Sequence, residues 1–282
     1  MKMEPKIIER QIINLNETQT KMLISGWGKD VFEASVVEKI TYLSDGLKVK
    51  GYLAYPVDQS GKYPCVIWNR GGAKNDGAID SFTARGMFGQ IASWEFVVFA
   101  SQYRGNAGGE GKEQLGGDEV DDILNLVPLA KELHFADSGK WGMEGWSRGG
   151  MMSFLALQRN HNFKCAVTVG AISNFKQHFE NNPQSINHYK ELIGGKNLDD
   201  EIEKRTAINF VESLPNIPYL IVHGAADKTV PPLQSIEMSR RMIELEIPHR
   251  LVLFENGDHY LRAHRKELDS LRKFWYEKYL NG

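Results

Sequence analysis

Cysteine is scarce in this chain of 282 residues, which holds only Cys65 and Cys165. Each lies in an apolar run, Pro64 to Trp68 and Cys165 to Val169, so the two read as buried thiols rather than a disulfide or a metal pair. No C-x-x-C or similar ligand spacing is present. Long hydrophobic runs are missing too: none approaches the roughly 20 residues needed to span a bilayer. The N-terminus, Met1-Lys2-Met3-Glu4-Pro5-Lys6, lacks the apolar core of a signal peptide, so the expected location is cytoplasmic. Charge of one sign is not in excess either, with 34 Lys plus Arg against 36 Asp plus Glu, a net charge of −2. That balance gives no electrostatic reason to expect nucleic acid or an anionic membrane as partner. Internal repeats and low-complexity linkers are likewise absent. What remains is ordinary globular composition, 41% hydrophobic and 25% charged. A chain of this length buries a substantial core without disulfides or structural metal, in one large domain or two small ones.

The first 37 residues mix charged and apolar positions, and Ile7, Ile8, Ile12 and Ile13 recur at helical spacing, predicting a short amphipathic helix or arm. From Glu38 to Tyr55, residues alternate on both sides of Asp45-Gly46, which predicts a β-hairpin with a tight turn. Residues 65–68, 96–100, 219–222 and 250–254 are short continuous apolar runs, as expected for strands covered on both faces. Residues 142–145 and 166–169 are weaker candidates for the same role. Helical patterns fill about 118–134, 148–160, 232–246 and 264–280; Val120, Ile123, Leu124 and Val127 show the period in the first. This alternation predicts an α/β fold, a mostly parallel central sheet flanked by helices, with one domain over 38–282 behind an arm of residues 1–37. Residues 174–211 hold no strong strand and are rich in Asn and charge. They read either as a lid or pocket wall or as an ordinary long connection with two short helices.

The sharpest local signal is Gly142-Met143-Glu144-Gly145-Trp146-Ser147-Arg148-Gly149-Gly150. It contains G-x-S-x-G between a strand candidate and a helix, the context of a nucleophile elbow. The chain must reverse sharply to project the serine hydroxyl, and side chains two residues to either side would meet neighbouring backbone. A serine nucleophile needs a base, and the base an orienting acid, in the chain order Ser, Asp or Glu, His. Asp227 follows the strand 219–222 and His259 follows the strand 250–254, both at strand C-terminal ends, where Ser147 also emerges. Of the eight histidines, His259 alone holds the matching position. His223 reads as structural, His264 falls inside the following helix, and His134, His161, His178, His188 and His249 lack a matching place. Asp258 adjoins His259 but points elsewhere, leaving Asp227 as the acid.

Two backbone N–H groups are expected to hold a developing oxyanion, that of Arg148 and that of Gly71 or Gly72 in the loop after strand 65–68. Arg70 and Trp146 are candidate substrate contacts. Arg70, Arg148 and Glu144 are candidate anchors for a substrate amine or carboxylate, and each is equally readable as a structural charge. The glycine-rich stretch Gln102 to Gly111 lacks the Walker Gly-Lys-Ser/Thr and does not match the dinucleotide fingerprint. Arg104 within it is expected to pair with Asp118 or Asp121 and brace the loop.

Taken together, Arg70-Gly71-Gly72, Tyr103-Arg104-Gly105, Gly145 to Gly150, His223-Gly224-x-x-Asp227-x-x-Val230 and Gly257-Asp258-His259 resemble the catalytic α/β-hydrolase domain of the prolyl oligopeptidase family. The resemblance runs from about residue 38 to the C-terminus. It implies a serine hydrolase with Ser147 as nucleophile, Asp227 as acid and His259 as base, acting through an acyl-enzyme without metal or organic cofactor. Two departures stand out. Large peptidases of the family carry a β-propeller before the hydrolase domain, and the 37 residues preceding the hairpin here are too few for one. Many members also place a tyrosine before the Gly-Gly pair to help hold the oxyanion. Here that position is Arg70, so the second donor is expected to be a backbone N–H. The leading expectation is cleavage of peptide or aminoacyl bonds. A carboxylesterase on the same scaffold is the alternative, and a catalytically inert binding protein is the third. The expected partner is a small peptide or ester substrate, with a homo-oligomer left open.

Overall fold

The computed structural model describes residues 4–181, 186–194 and 197–282. Residues 1–3 of the signal-peptide reading, residues 182–185 and 195–196 of the 174–211 segment, and the side chain of His188 lie outside the described residues. The chain folds as two units. The first holds residues up to Trp68 with 74–112 and 121–141, and the second holds 69–73, 113–120 and 142–282.

In the first unit, β1 (Ile7–Ile12) forms where the isoleucine spacing predicted a helix. That spacing suits either element, and backbone pairing decides it: β1 runs antiparallel to β2 (Ser35–Ser44), with Ile12 opposite Glu38. The Arg10 guanidinium then closes on Glu38 at 2.6 Å. Between them lie α1 (Glu17–Trp27), whose Asn16 cap accepts from the Gln19 N–H, and the short α2 (Lys29–Glu33). The predicted hairpin joins β2 to β3 (Leu47–Pro56), with Ser44 opposite Leu47. Asp45 and Gly46 take φ of 52° and 84°, the two-residue turn whose twist matches that of the flanking strands. After β4 (Tyr63–Asn69) and α3 (Ser81–Ala92), β5 (Val97–Ser101) pairs antiparallel with β3. The predicted helix over 118–134 is divided. α4 (Glu119–Leu124) ends early, and a 3-10 turn over Val127–Glu132 follows, because Pro128 has no N–H to continue an α-helix.

In the second unit, the C-terminal part of β6 (Ala136–Trp146) is followed by β7 (Cys165–Val169), β8 (Tyr219–Gly224) and β9 (His249–Phe254), all parallel. Their register is in step: Trp146 lies opposite Val169, Val169 opposite Val222, and Val222 opposite Val252. β6 and β7 therefore end level with each other, while β8 and β9 run on together to Gly224 and Phe254. Connecting helices are α5 (Arg148–Arg159), α9 (Leu233–Glu244) and α10 (Arg265–Leu280), within two residues of their expected ranges at most boundaries. The 174–211 segment carries, among its described residues, three short α-helices, α6 (Phe175–Asn181), α7 (Ile186–Ile193) and α8 (Leu198–Lys204), and a 3-10 turn at Ala207–Asn209. The strand order is β1-β2-β3-β5-β4-β6-β7-β8-β9, a mostly parallel sheet flanked by helices, as the alternation predicted. No described helix is long and apolar enough to cross a membrane. Cys65 and Cys165 are both free and buried.

Candidate active site

β6 ends at Trp146, and Ser147 takes φ 56° and ψ −124° before α5 begins at Arg148. A residue with a side chain holds such a conformation only where its surroundings enforce it. The glycines on either side are obligatory: a Cβ on Gly145 would lie 2.1 Å from the Gly149 carbonyl oxygen, and one on Gly149 would lie 2.0 Å from that of Asn69. Ser147 thus stands at the N-terminus of α5, where free N–H groups and the helix dipole favour negative charge. Its own N–H donates to the Val169 carbonyl at 2.9 Å, tying the elbow to the end of β7.

Asp227 sits in the loop after β8, its side chain shielded from solvent. Its Oδ1 accepts from the N–H groups of Thr229 and Val230 at 2.8 and 2.9 Å. Its Oδ2 accepts from His259 Nδ1 at 2.7 Å and from His223 Nε2 at 3.1 Å. Burial works against ionising this carboxyl, but the bonds from His223, His259 and the Val230 N–H prevail and hold it well below the usual carboxylate range. With an ionised Asp227 as acceptor, His259 keeps its proton on Nδ1 and leaves Nε2 free to accept. His223 is structural, as expected. Its Nε2 also faces the Val230 carbonyl at 2.9 Å, and its Nδ1 accepts from the Ser235 hydroxyl at 2.7 Å. Gly170, the first residue after β7, packs on the pair: a Cβ there would lie 3.3 Å from His259 Nδ1 and 3.5 Å from Asp227 Oδ2. Ser147, bonded to Val169, and the Asp227–His259 pair, packed on Gly170, therefore converge on the end of β7.

The Arg70–Gly72 loop lies against the elbow. A Cβ on Gly71 would lie 3.1 Å from that of Ser147, and Gly72 has φ 65°, a conformation glycine adopts without cost. The candidate substrate contacts fare differently. The Arg70 side chain is fully buried, donating to the Gly71 carbonyl at 3.1 Å with Glu113 at 4.0 Å. Trp146 donates its indole N–H to Glu144 at 2.5 Å and lies under the Arg272 guanidinium. Glu144 is fully buried and takes Arg272 and Tyr276 of α10. Residues 144 and 146 share one face of β6 by the strand alternation, and that face packs on α10, with Glu144 buried and Trp146 half-buried.

Sequence reasoning missed two carboxylates. The Arg148 side chain is buried with Glu113 and Glu119, donating to both, to Glu119 at 2.8 Å, and also to the Gly72 carbonyl at 2.7 Å. Glu119 is completed by N–H groups of Gln114, Gly116 and Gly117. The one available signal was an arginine inside the elbow itself, a charge that cannot be buried without an acid. His178 was also passed over. It is buried beside Phe175, with ring centroids 6.4 Å apart, and near Tyr189. Burial first, and then the nearby His259, push its imidazole down to about 4, with Asp227 opposing.

The fold is that of the α/β-hydrolases. Residues 84–282 match the prolyl oligopeptidase family. Over 224 residues the chain is 32% identical to YtmA of Bacillus subtilis, described as an uncharacterised peptidase, covering 78% of this chain and 85% of that one. Over 215 residues it is 28% identical to human prolyl endopeptidase FAP, but spans only 27% of that protein's length. Among solved structures, Pyrococcus horikoshii acylaminoacyl peptidase superposes with a TM-score of 0.73 at 21% identity, over 86% of this chain and 41% of that one. The chain belongs to the prolyl oligopeptidase family, and it is a hydrolytic enzyme.

Proposed function

We propose that this enzyme cleaves peptide or aminoacyl bonds through a Ser147–His259–Asp227 triad and an acyl-enzyme. The observation that carries the reading is the Asp227 carboxylate. It bonds His259 Nδ1 at 2.7 Å while two backbone N–H groups fix its other oxygen, beside a serine held at φ 56°. In this mechanism Ser147 Oγ attacks the acyl carbonyl and His259 Nε2 takes its proton. The low-lying Asp227 stays ionised and stabilises the imidazolium. The tetrahedral oxyanion accepts from the Arg148 N–H and from that of Gly72, each donor worth about 3 kcal/mol. His259 then protonates the leaving amine, and water releases the acyl group. Arg70 and Glu144, being buried and ion-paired, act within the protein, so the substrate's charged end is recognised elsewhere. The substrate class follows from membership of a peptidase family and from the kinship with YtmA. Two free, buried thiols fit the cytoplasmic location in the same reading.

The test is kcat/KM on an ester and an amide of one aminoacyl group. Ser147→Ala, expected to lose about 10⁴-fold or more in kcat while keeping its fold, serves as the blank. Amide turnover within a few orders of magnitude of the ester supports a peptidase. Ester turnover alone makes the enzyme an esterase on this scaffold. Full activity of the alanine variant, with contamination excluded, sinks the triad.

A further inference from the structure

We propose that Arg148 and Arg70 are positioning residues that lock the oxyanion loop against peptide flipping, through Glu113 and Glu119. The proposal rests on the reading of Ser147 as nucleophile and Gly72 as a backbone donor. Glycine pairs rotate easily about their peptide planes, and a flip would put a carbonyl oxygen where the oxyanion needs an N–H. In a trans peptide the C=O and the following N–H point in opposite directions, so holding one end orients the other.

Both planes that flank Gly72 are held this way. The Gly71 carbonyl, whose plane carries the Gly72 N–H, accepts from Arg70 Nη1 at 3.1 Å. The Gly72 carbonyl, whose plane carries the Ala73 N–H, accepts from Arg148 Nη1 at 2.7 Å. The two guanidiniums then converge: Arg148 bonds Glu113 directly, and Arg70 Nη2 lies 4.0 Å from the same Glu113 oxygen. Glu119, completely buried, takes the second Arg148 nitrogen at 2.8 Å. Glu119 is itself fixed by the Gly116 N–H at 2.7 Å, and Arg205 braces the same segment by donating to the Leu115 carbonyl at 2.7 Å. Two arginines and two glutamates make a neutral cluster, so the charges are buried without a net cost of one sign. Arg148 joins the two halves of the oxyanion site: its backbone N–H is one donor, and its side chain orients the loop that supplies the other.

The lock predicts a defect that appears only when negative charge develops on the oxygen. In Glu113→Gln the neutral amide no longer binds both guanidiniums. The measurements are kcat and KM on p-nitrophenyl acetate and the rate of labelling by a fluorophosphonate. In the labelling step Ser147 Oγ bonds to phosphorus, fluoride leaves, and the serine proton passes to His259. Circular dichroism checks the fold. The expected result is a kcat about 10- to 100-fold lower, a KM within about two-fold, labelling slowed by a factor similar to that in kcat, and an unchanged pH–rate profile. Arg148→Lys keeps a positive charge beside both glutamates and loses the fork to Gly72, so its loss should be intermediate; it carries the test alone should Glu113→Gln not fold. A folded variant that turns over and labels at the wild-type rate overturns the lock while leaving the triad standing. A wild-type protein that the probe does not label at Ser147 overturns the triad instead.

Discussion

Two arginines follow strands in this protein and are buried against pairs of acids, yet they hold different things. In the first unit, Arg104 clasps Asp122 through Nε and Nη2 at 3.1 and 2.8 Å and reaches Asp45 at 2.9 Å. Asp45 is the first residue of the β2–β3 turn, and Asp122 also accepts from the Ser44 hydroxyl at 2.6 Å. This cluster ties a glycine-rich loop to a hairpin. In the second unit, Arg148 clasps Glu113 and Glu119 and reaches a carbonyl of the loop beside Ser147. The chemistry of the two clusters is the same, a guanidinium that must stay charged and so must be buried with acids. What differs is the backbone at the far end. Losing the first cluster should cost stability alone, and losing the second should cost turnover as well.

The largest effect on stability is expected at Arg104. Burial works against both charges and pushes the Asp122 carboxyl up, while the Asp122 and Asp45 carboxylates raise the Arg104 guanidinium above its ordinary value. Arg104→Met leaves the fully buried Asp122 without its partner, and breaking a buried pair this way costs about 3–5 kcal/mol. Urea denaturation should show that loss, while kcat per folded molecule on p-nitrophenyl acetate stays at the wild-type level. A drop in kcat comparable to that of Glu113→Gln would erase the contrast between the clusters.

Much of this was legible in the sequence, for identifiable reasons. Continuous apolar runs marked β4, β5 and β8, because strands covered on both faces have no polar positions to blur the pattern. The run 250–254 marked β9 as well, but that strand lies at the sheet edge and is mostly half-buried or exposed, not covered on both faces. Ser147, Asp227 and His259 could be picked out as candidates because each follows a strand end, where local sequence sets the geometry. The β1 strand was not, since its residues are mostly exposed and its identity comes from pairing with β2. The partners of the arginines were not legible either. Arg104 was expected to meet Asp118 or Asp121, but its partner is the fully buried Asp122, one position beyond Asp121. Glu113 and Glu119 lie 35 and 29 residues before Arg148, and no local period connects them. Salt-bridge partners far apart in sequence are a property of the fold, and only the requirement for an acid could be read.

His178 sharpens the comparison from another side, because histidine can shed the charge that arginine must keep. Its pKa of about 4 in the folded protein lies below the value near 6.5 in the unfolded chain. Between these values the unfolded chain binds the additional proton. Stability contributed by neutral His178 is therefore full above about pH 6.5 and lost as pH falls toward 4. At about 1.4 kcal/mol per pH unit the total is roughly 3 kcal/mol. His178→Phe keeps a ring beside Phe175 and Tyr189, so the stability slope between pH 6.5 and 4 should flatten by up to one proton. An unchanged slope in the variant would mean that His178 titrates normally and that its burial is relieved before it protonates.

The smallest effect lies in the turn that Arg104 grips. Gly46 has φ 84°, and an alanine there pays a left-handed penalty of about 1 kcal/mol without removing any bond of Asp45. Were the cluster merely decorating a turn that forms by itself, Gly46→Ala and Arg104→Met would cost similar amounts in urea. The buried ion pair predicts a Gly46→Ala cost several-fold smaller. It also predicts near-additive behaviour if the two changes are combined, since the turn conformation and the Asp122 pair are separate interactions. Strong coupling between them would instead show that the arginine acts by enforcing the turn, through Asp45, and that Asp122 contributes little.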